Sequence, residues 1–196
     1  MKKVGVLALQ GDFAEHIIML EKTGVEALPV RIPDQLKGID GLLIPGGEST
    51  TIGKLMQNYG LMQPLRDMVH CGFPLMGTCA GMILLAQEAT DLNFSPLGAI
   101  DITVQRNAFG RQLDSFEIDL SVPVLGQELF HAVFIRAPFV KDIKPDVNVL
   151  ARLSDGTIVA ASQGRVLVTA FHPELTEDAR LHRYFVKKMV SGNTRG

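Results

Sequence analysis

Short apolar runs alternate with amphipathic stretches through the first half of the chain. Val4 to Leu9 reads as a buried strand. Asp12 then stands where a helix cap belongs, ahead of a helix that carries Phe13, Ile17 and Leu20 on one face and stops at Gly24. Ala27 to Ile32 reads as the next strand and "GLLIP" (41–45) as a third, after which "GGESTTIGKLM" turns into a helix with Ser49 as its cap. A further helix over "LMQPLRDMVHCG" precedes the strand "PLMG" and a helix that begins near Ala80. Strands alternating with helices predict a three-layer α/β fold, a mostly parallel central sheet with helices on both faces.

After about residue 98 the pattern changes. "LGAIDITVQRN", "SFEIDLSV" and "HAVFIRAP" are strand-like runs joined by turn residues, which predicts an added β region. "VLARLSDGTIVAASQGRVLVTAF" reads as a meander with tight turns at Asp155-Gly156 and Gln163-Gly164. A helix from about Glu177 to Val190 closes the chain. There is no internal repeat, low-complexity tract or flexible linker, so one domain over residues 1–196 is expected.

Composition narrows the classes. Of 196 residues, 46% are hydrophobic and 20% charged, and the net charge of −2 belongs to an ordinary globular chain. Lys and Arg are scattered, so neither nucleic acid nor an anionic membrane is the expected partner. The opening "MKKVGVLAL" fails as a signal peptide, because its apolar run ends early in Gln10, Gly11 and Asp12. No stretch approaches the roughly 20 apolar residues that span a bilayer. A cytoplasmic setting is expected, with Cys71 and Cys79 as free thiols.

The chemistry gathers at "GTCAG". Cys79 lies between Gly77 and Gly81, after an apolar strand and before a helix, which is the pattern of a nucleophile elbow. A sharp strand-to-helix turn needs small neighbours so that backbones can approach. It also sets the thiol at a helix N-terminus, where unpaired N–H groups favour a thiolate and the Ala80 N–H can face a developing oxyanion. The plain alternative is a small buried hydrophobe, and for Cys71, which has no such setting, packing is the expectation. A nucleophile needs a base and an orienter. "FHPEL" supplies His172, after a strand, and Glu174 two residues on; a solvated turn is the competing reading. His16, His70, His131 and His182 are expected to be surface or structural. "PGGEST" (45–50) lacks the Lys of a phosphate loop, so its glycines are read as offering backbone N–H groups to an oxyanion or a carboxylate.

Taken in order, "PGGEST", "GTCAG" and "FHPE" resemble the class I, triad-type glutamine amidotransferases. "LALQGDFAEH", "GTCAGMILLA", "RNAFGRQLDSFE" and "FIRAP" are similar to the branch that forms glutaminase subunits of pyridoxal 5'-phosphate synthase. The resemblance implies a flavodoxin-like fold with an added β region. It implies that Cys79 attacks the side-chain amide of L-glutamine, that His172 is general base and then acid, that Glu174 orients it, and that the N–H groups of Gly47 and Ala80 form the oxyanion hole. Gly47, Glu48, Ser49, Arg106, Ile135 and Arg136 are implied to bind glutamine; without the family, surface ion pairs are the better reading of the two arginines. Many class I members carry Gln near the second elbow glycine where this chain has "GMILL", and Ile83 cannot hydrogen-bond substrate. The implied partner is the synthase subunit, which receives the ammonia, with no metal or organic cofactor in this chain. The isolated chain is expected to be slow, with Gln10 and the Gly46-Gly47 loop coupling it to the partner. The rivals are an amidotransferase for another synthase and an idle binding module with an unreactive Cys79.

Overall fold

The computed structural model describes residues 1–106 and 115–192, so the middle of "RNAFGRQLDSFE" lies outside the described residues. The apolar runs at the two ends of the chain form one parallel sheet. β1 (Lys3–Leu7), β2 (Glu26–Val30), β3 (Gly41–Ile44), β4 (Leu75–Thr78) and β12 (Val166–Thr169) lie in the order β2-β1-β3-β4-β12, all parallel. This is the flavodoxin-like 2-1-3-4-5 arrangement, with the last strand drawn from far along the sequence. β3 and β4 are buried at every position, as strands covered on both faces must be.

Helices α1 (Phe13–Glu21) and α5 (Arg180–Tyr184) pack together, and α2 (Ser49–Asn58) packs with α3 (Met62–His70) and α4 (Ala80–Leu85). α1 lies against β1 and β2, and α4 against β3, β4 and β12. The C-terminal helix starts later than its periodicity suggests. Asp178 ties its carboxylate to the Arg180 side chain and backbone just before α5, which then continues as a π-helical stretch over Phe185–Val190. No helix among the described residues is long and apolar enough to cross a membrane.

The β region extends the same sheet. β11 (Ile158–Gln163) runs antiparallel to β12, and beyond it come β9 (Phe139–Ile143), β6 (Ile100–Gln105) and β5 (Ala86–Ala89), while β10 (Asn148–Arg152) pairs with β11. The expected meander is therefore present, although its second turn is made by Gly164 and Arg165, between the paired Gln163 and Val166. The sequence pattern did not separate β5 from α4 or mark β9, because both are short and border other apolar runs. β7 (Ser115–Leu120) and β8 (Phe130–Ile135) form a separate hairpin, anchored by Phe134, which stacks on Phe116 and tilts against Phe171. The hairpin touches the end of β12, where the His172 N–H donates to the Val133 carbonyl at 2.8 Å. Cys71, expected to pack, is exposed, since the turn after α3 carries it past the last covered helical position.

Candidate active site

β4 delivers Cys79 and α4 leaves from it. The cysteine has φ 48° and ψ −104°, a left-handed backbone that L side chains avoid. Packing enforces it: the Cys79 N–H donates to the Thr169 carbonyl of β12 at 2.8 Å, and α4 is pressed onto β3. A side chain at position 81 would run into the Ile44 carbonyl oxygen. One at position 77 would stand 2.6 Å from the Gly81 backbone. The two glycines of "GTCAG" are thus required by close approach rather than by flexibility.

The strand beside β4 brings the second group. His172 follows β12, and its ring sits against Gly46, where any added Cβ would collide with it. Nδ1 of His172 donates to Glu174 Oε1 at 2.7 Å, which leaves Nε2 for the hydrogen bond with Cys79. The thiol also lies 3.8 Å from the Ile135 carbonyl. Burial opposes charge on the imidazole, yet the hydrogen bonds to Cys79 and Glu174 outweigh it and push His172 up to about 10. At Glu174, burial raises the carboxyl and the bond from His172 draws it back. The arrangement can hold an imidazolium between a sulfur and a carboxylate, which suits attack on a carbonyl followed by protonation of a leaving amine.

A cavity of about 590 Å³ opens in front of this line. Cys79, Ala80 and His172 line it, and so do Gly47, Glu48 and Ser49 from the β3–α2 turn. Arg106 enters from the end of β6, with Ile135 and Arg136 from the end of β8. Nine of the ten residues singled out in the sequence therefore share one space, and the tenth, Glu174, stands behind His172 with a side chain that is 0% exposed. The space is of ligand size, with a few charged groups converging on it.

Glu48 and Arg106 meet across the cavity, with Nη2 3.3 Å from Oε1. Arg106 also donates to the Asp91 carbonyl at 2.5 Å. Ser49 does not cap α2; it is buried as the first helical residue, and Glu48 takes the capping position, accepting from the N–H groups of Thr50 (3.0 Å) and Thr51 (2.7 Å). Burial works against the Glu48 charge, but the Thr51 and Thr50 hydrogen bonds prevail and hold its carboxyl down at about 2. Among the described residues three non-glycines have positive φ: Cys79, Arg136 and Asp91. Two line the cavity and the third holds Arg106, so backbone strain collects at this site.

Other side chains gather here: Gln10, expected from the sequence to couple the site to a partner, and Asp12, His16 and His182, which the sequence does not mark as site residues. Asp12 makes no side-chain cap to α1; its Oδ2 instead lies 3.5 Å from His172 Nδ1. Gln10 turns its Oε1 to the Glu48 N–H at 2.8 Å, across Gly47. His16 and His182 are fully buried, and His16 reaches Glu174. The signal was present, because the stripe Phe13, Ile17, Leu20 puts position 16 on the same face. That face rolls inward around His16, Met19 and Leu20. Among the described residues, the three side chains that could share a metal ion are Asp12, His172 and Glu174. His172 Nδ1 and Glu174 are already committed to each other, so the set reads as proton-handling.

Residues 6–191 match the SNO glutamine amidotransferase family. The chain is 57% identical over 190 residues to the pyridoxal 5'-phosphate synthase subunit PdxT of Carboxydothermus hydrogenoformans, covering 97% of this chain and 99% of the relative. It is 56% identical over 185 residues to the subunit of the same name from Moorella thermoacetica, covering 94% and 98%. A crystal structure of a glutamine amidotransferase has a TM-score of 0.87 and 53% identity, covering 94% of this chain and 97% of that one.

Proposed function

The chain belongs to the SNO glutamine amidotransferase family, and from that premise we propose that it is the glutaminase subunit of a pyridoxal 5'-phosphate synthase. It hydrolyses L-glutamine to L-glutamate and ammonia and hands the ammonia to a synthase subunit in a hetero-oligomeric complex, in the service of vitamin B6 synthesis. The whole chain acts as one glutaminase domain. We place it in the cytoplasm, a setting that suits its two free thiols.

In this reading the Cys79 sulfur attacks the side-chain carbonyl carbon of glutamine. The carbonyl electron pair moves onto oxygen, where the N–H groups of Ala80 and Gly47 receive it. On collapse the carbon–nitrogen bond breaks, and His172 gives its proton to the departing ammonia. A thioester on Cys79 remains. His172 then takes a proton from water as the water attacks, and glutamate leaves with the sulfur restored. Glu174 keeps Nδ1 of His172 protonated so that Nε2 faces the thiol. Arg106 and Arg136 supply positive charge for the amino-acid carboxylate, and Glu48 and Ser49 offer acceptors for its ammonium. Gln10 holds the Glu48 N–H and so restrains the Gly46-Gly47 loop. A docked synthase subunit that shifts Gln10 would free that loop to present its donor.

The observation that carries this reading is the unbroken line Cys79, His172, Glu174, with the first two on the wall of the cavity and the third enclosed behind them. Ammonia release from glutamine is the test, for the native chain and Cys79→Ala, each with and without a synthase subunit. Activity that rises with the subunit and vanishes in the variant supports both the thiol chemistry and the pairing. Equal rates with and without the subunit would remove the coupling through Gln10, and activity in Cys79→Ala would remove the mechanism.

A further inference from the structure

Glu174 has two oxygens, and the triad uses one. Oε1 accepts from His172; Oε2 is fully enclosed and makes no hydrogen bond of regular geometry. A carboxylate oxygen left bare in the interior is costly, so the groups near Oε2 matter. His16 Nε2 lies 3.2 Å from it, between two side chains that are each 0% exposed. The same nitrogen is 3.0 Å from Thr78 Oγ1, and His16 Nδ1 is 2.9 Å from Nε2 of His182. The series ends at His182 Nδ1, which is buried and unpartnered.

We infer that His16 is a positioning residue for Glu174: its Nε2–H secures Oε2, and His182 fixes the tautomer that allows it. The inference rests on the glutaminase reading above for what Glu174 does. Proton counting carries it. Burial keeps both histidines neutral, His182 down at about 3 and His16 well below its ordinary value, with His182 and His172 further disfavouring charge on His16. Each ring therefore has one N–H. If His16 carried it on Nδ1, that hydrogen would point at His182 Nε2, and His182 would have to carry its own on the unpartnered Nδ1. A buried donor would then be orphaned, and a bare nitrogen would face the Glu174 carboxylate at 3.2 Å. With the hydrogen on His16 Nε2, both faults vanish. His182 Nε2–H donates to His16 Nδ1, His16 Nε2–H lies between Thr78 Oγ1 and Glu174 Oε2, and only a lone pair on His182 Nδ1 is left unmatched, the cheaper omission.

The groups that face His16 are His182 from α5, Thr78 from β4, and Glu174 and His172 from the segment after β12. Farther out, Asp178 and Lys22 act on His182 in opposite senses. None of them touches the cavity where a substrate would bind except His172. Loss of the His16 contact therefore loosens Glu174 and through it the imidazole, without touching substrate contacts. The expected signature is a fall in kcat at nearly constant KM.

The test uses the full chain with a synthase subunit, glutamine as substrate, and the variants His16→Asn and His16→Gln. Asn keeps an amide near the Nδ1 position only; Gln can place an N–H near Nε2. His16→Asn is expected to lower kcat roughly 10- to 100-fold, the scale of one hydrogen bond to a charged group, with KM within about twofold. His16→Gln is expected to recover most of it. In parallel, nitrogen NMR of the labelled imidazoles in the native chain reads the tautomers directly and needs no variant to fold. Nε2–H forms of His16 and His182 support the inference. An Nδ1–H or charged His16, or equal kcat in the native chain and both variants, overturns it. Absence of ammonia release from the native chain would overturn the glutaminase reading instead, and the role in catalysis with it, whatever the tautomers.

Discussion

Glu174 divides two histidine environments that differ little in burial and are opposite in charge. In front, His172 is 3% exposed and is pushed up to about 10. Behind, His16 and His182 are 0% exposed and are pushed down. Desolvation acts the same way on all three, so burial does not decide the outcome. The partners do. His172 shares hydrogen bonds with a thiol and a carboxylate, whereas His16 has another imidazole on one side and, on the other, a hydroxyl together with Glu174 Oε2, which at 3.2 Å makes no hydrogen bond of regular geometry. A buried imidazole is charged where its hydrogen bonds to negative groups outweigh desolvation, as at His172, and stays neutral where desolvation and neighbouring imidazoles outweigh them, as at His16. One carboxylate thus serves a proton-carrying side and a scaffold side.

The strongest way to break this contrast is to neutralise the divider. Glu174→Gln keeps the shape and removes the charge; glutamine hydrolysis should fall about 10³- to 10⁴-fold, the scale of losing a triad's charged orienter. An ammonia assay showing less than a tenfold loss would mean that His172 does not depend on Glu174. A smaller intervention touches only the front. Cys79→Ala removes one of the two hydrogen bonds that hold His172 up, so an NMR titration of that ring should move from about 10 toward the ordinary value near 6.5. The rings of His16 and His182 should stay neutral in the same spectra.

The two sides also predict opposite pH windows of stability. A histidine whose folded value is raised stabilises the fold fully below its unfolded value, and that contribution is lost as pH rises through the folded value, about 10 for His172. His16 and His182 have lowered folded values. Their contribution is present above about 6.5 and is lost as pH falls from there toward about 3 for His182. Urea midpoints measured across pH should decline on the acid side below about 6.5, and His182→Leu should flatten that decline. The smallest effect is expected at a carboxylate outside the divide. Glu48 holds its charge through the first turn of α2, and Glu48→Ala should cost about 1 kcal/mol in urea unfolding, as lost caps do.

Much of this site was legible in the chain, and the reasons differ by residue. Gly77 and Gly81 are readable because the elbow forbids side chains where α4 meets β3, and that constraint leaves a local spelling. His172 and Glu174 are two residues apart on one turn, so their pairing is local as well. The parallel half of the sheet was legible because its strands are continuous apolar runs. The cap of α2 was misassigned because Ser49 has the commoner chemistry, while Glu48 has the longer reach and the nearby Arg106. His16 and His182 were passed over for a different reason. The stripe of α1 places His16 on the inward face, but its pairing with His182 joins positions 166 apart, and no local pattern carries that pairing.

The placement of β12 beside β4 has a consequence for how the protein is made. Leu75 to Thr78 pair with Val166 to Thr169, so the cysteine-bearing strand waits for a partner from the last part of the chain. A polypeptide emerging from the ribosome carries Cys79 through most of its synthesis without His172, without the carbonyl of Thr169 that fixes the elbow, and without His182. In the proposed mechanism thiol chemistry is thereby armed last, by the same long-range closure that completes the sheet, and a product that ends before β12 is expected to release no ammonia from glutamine.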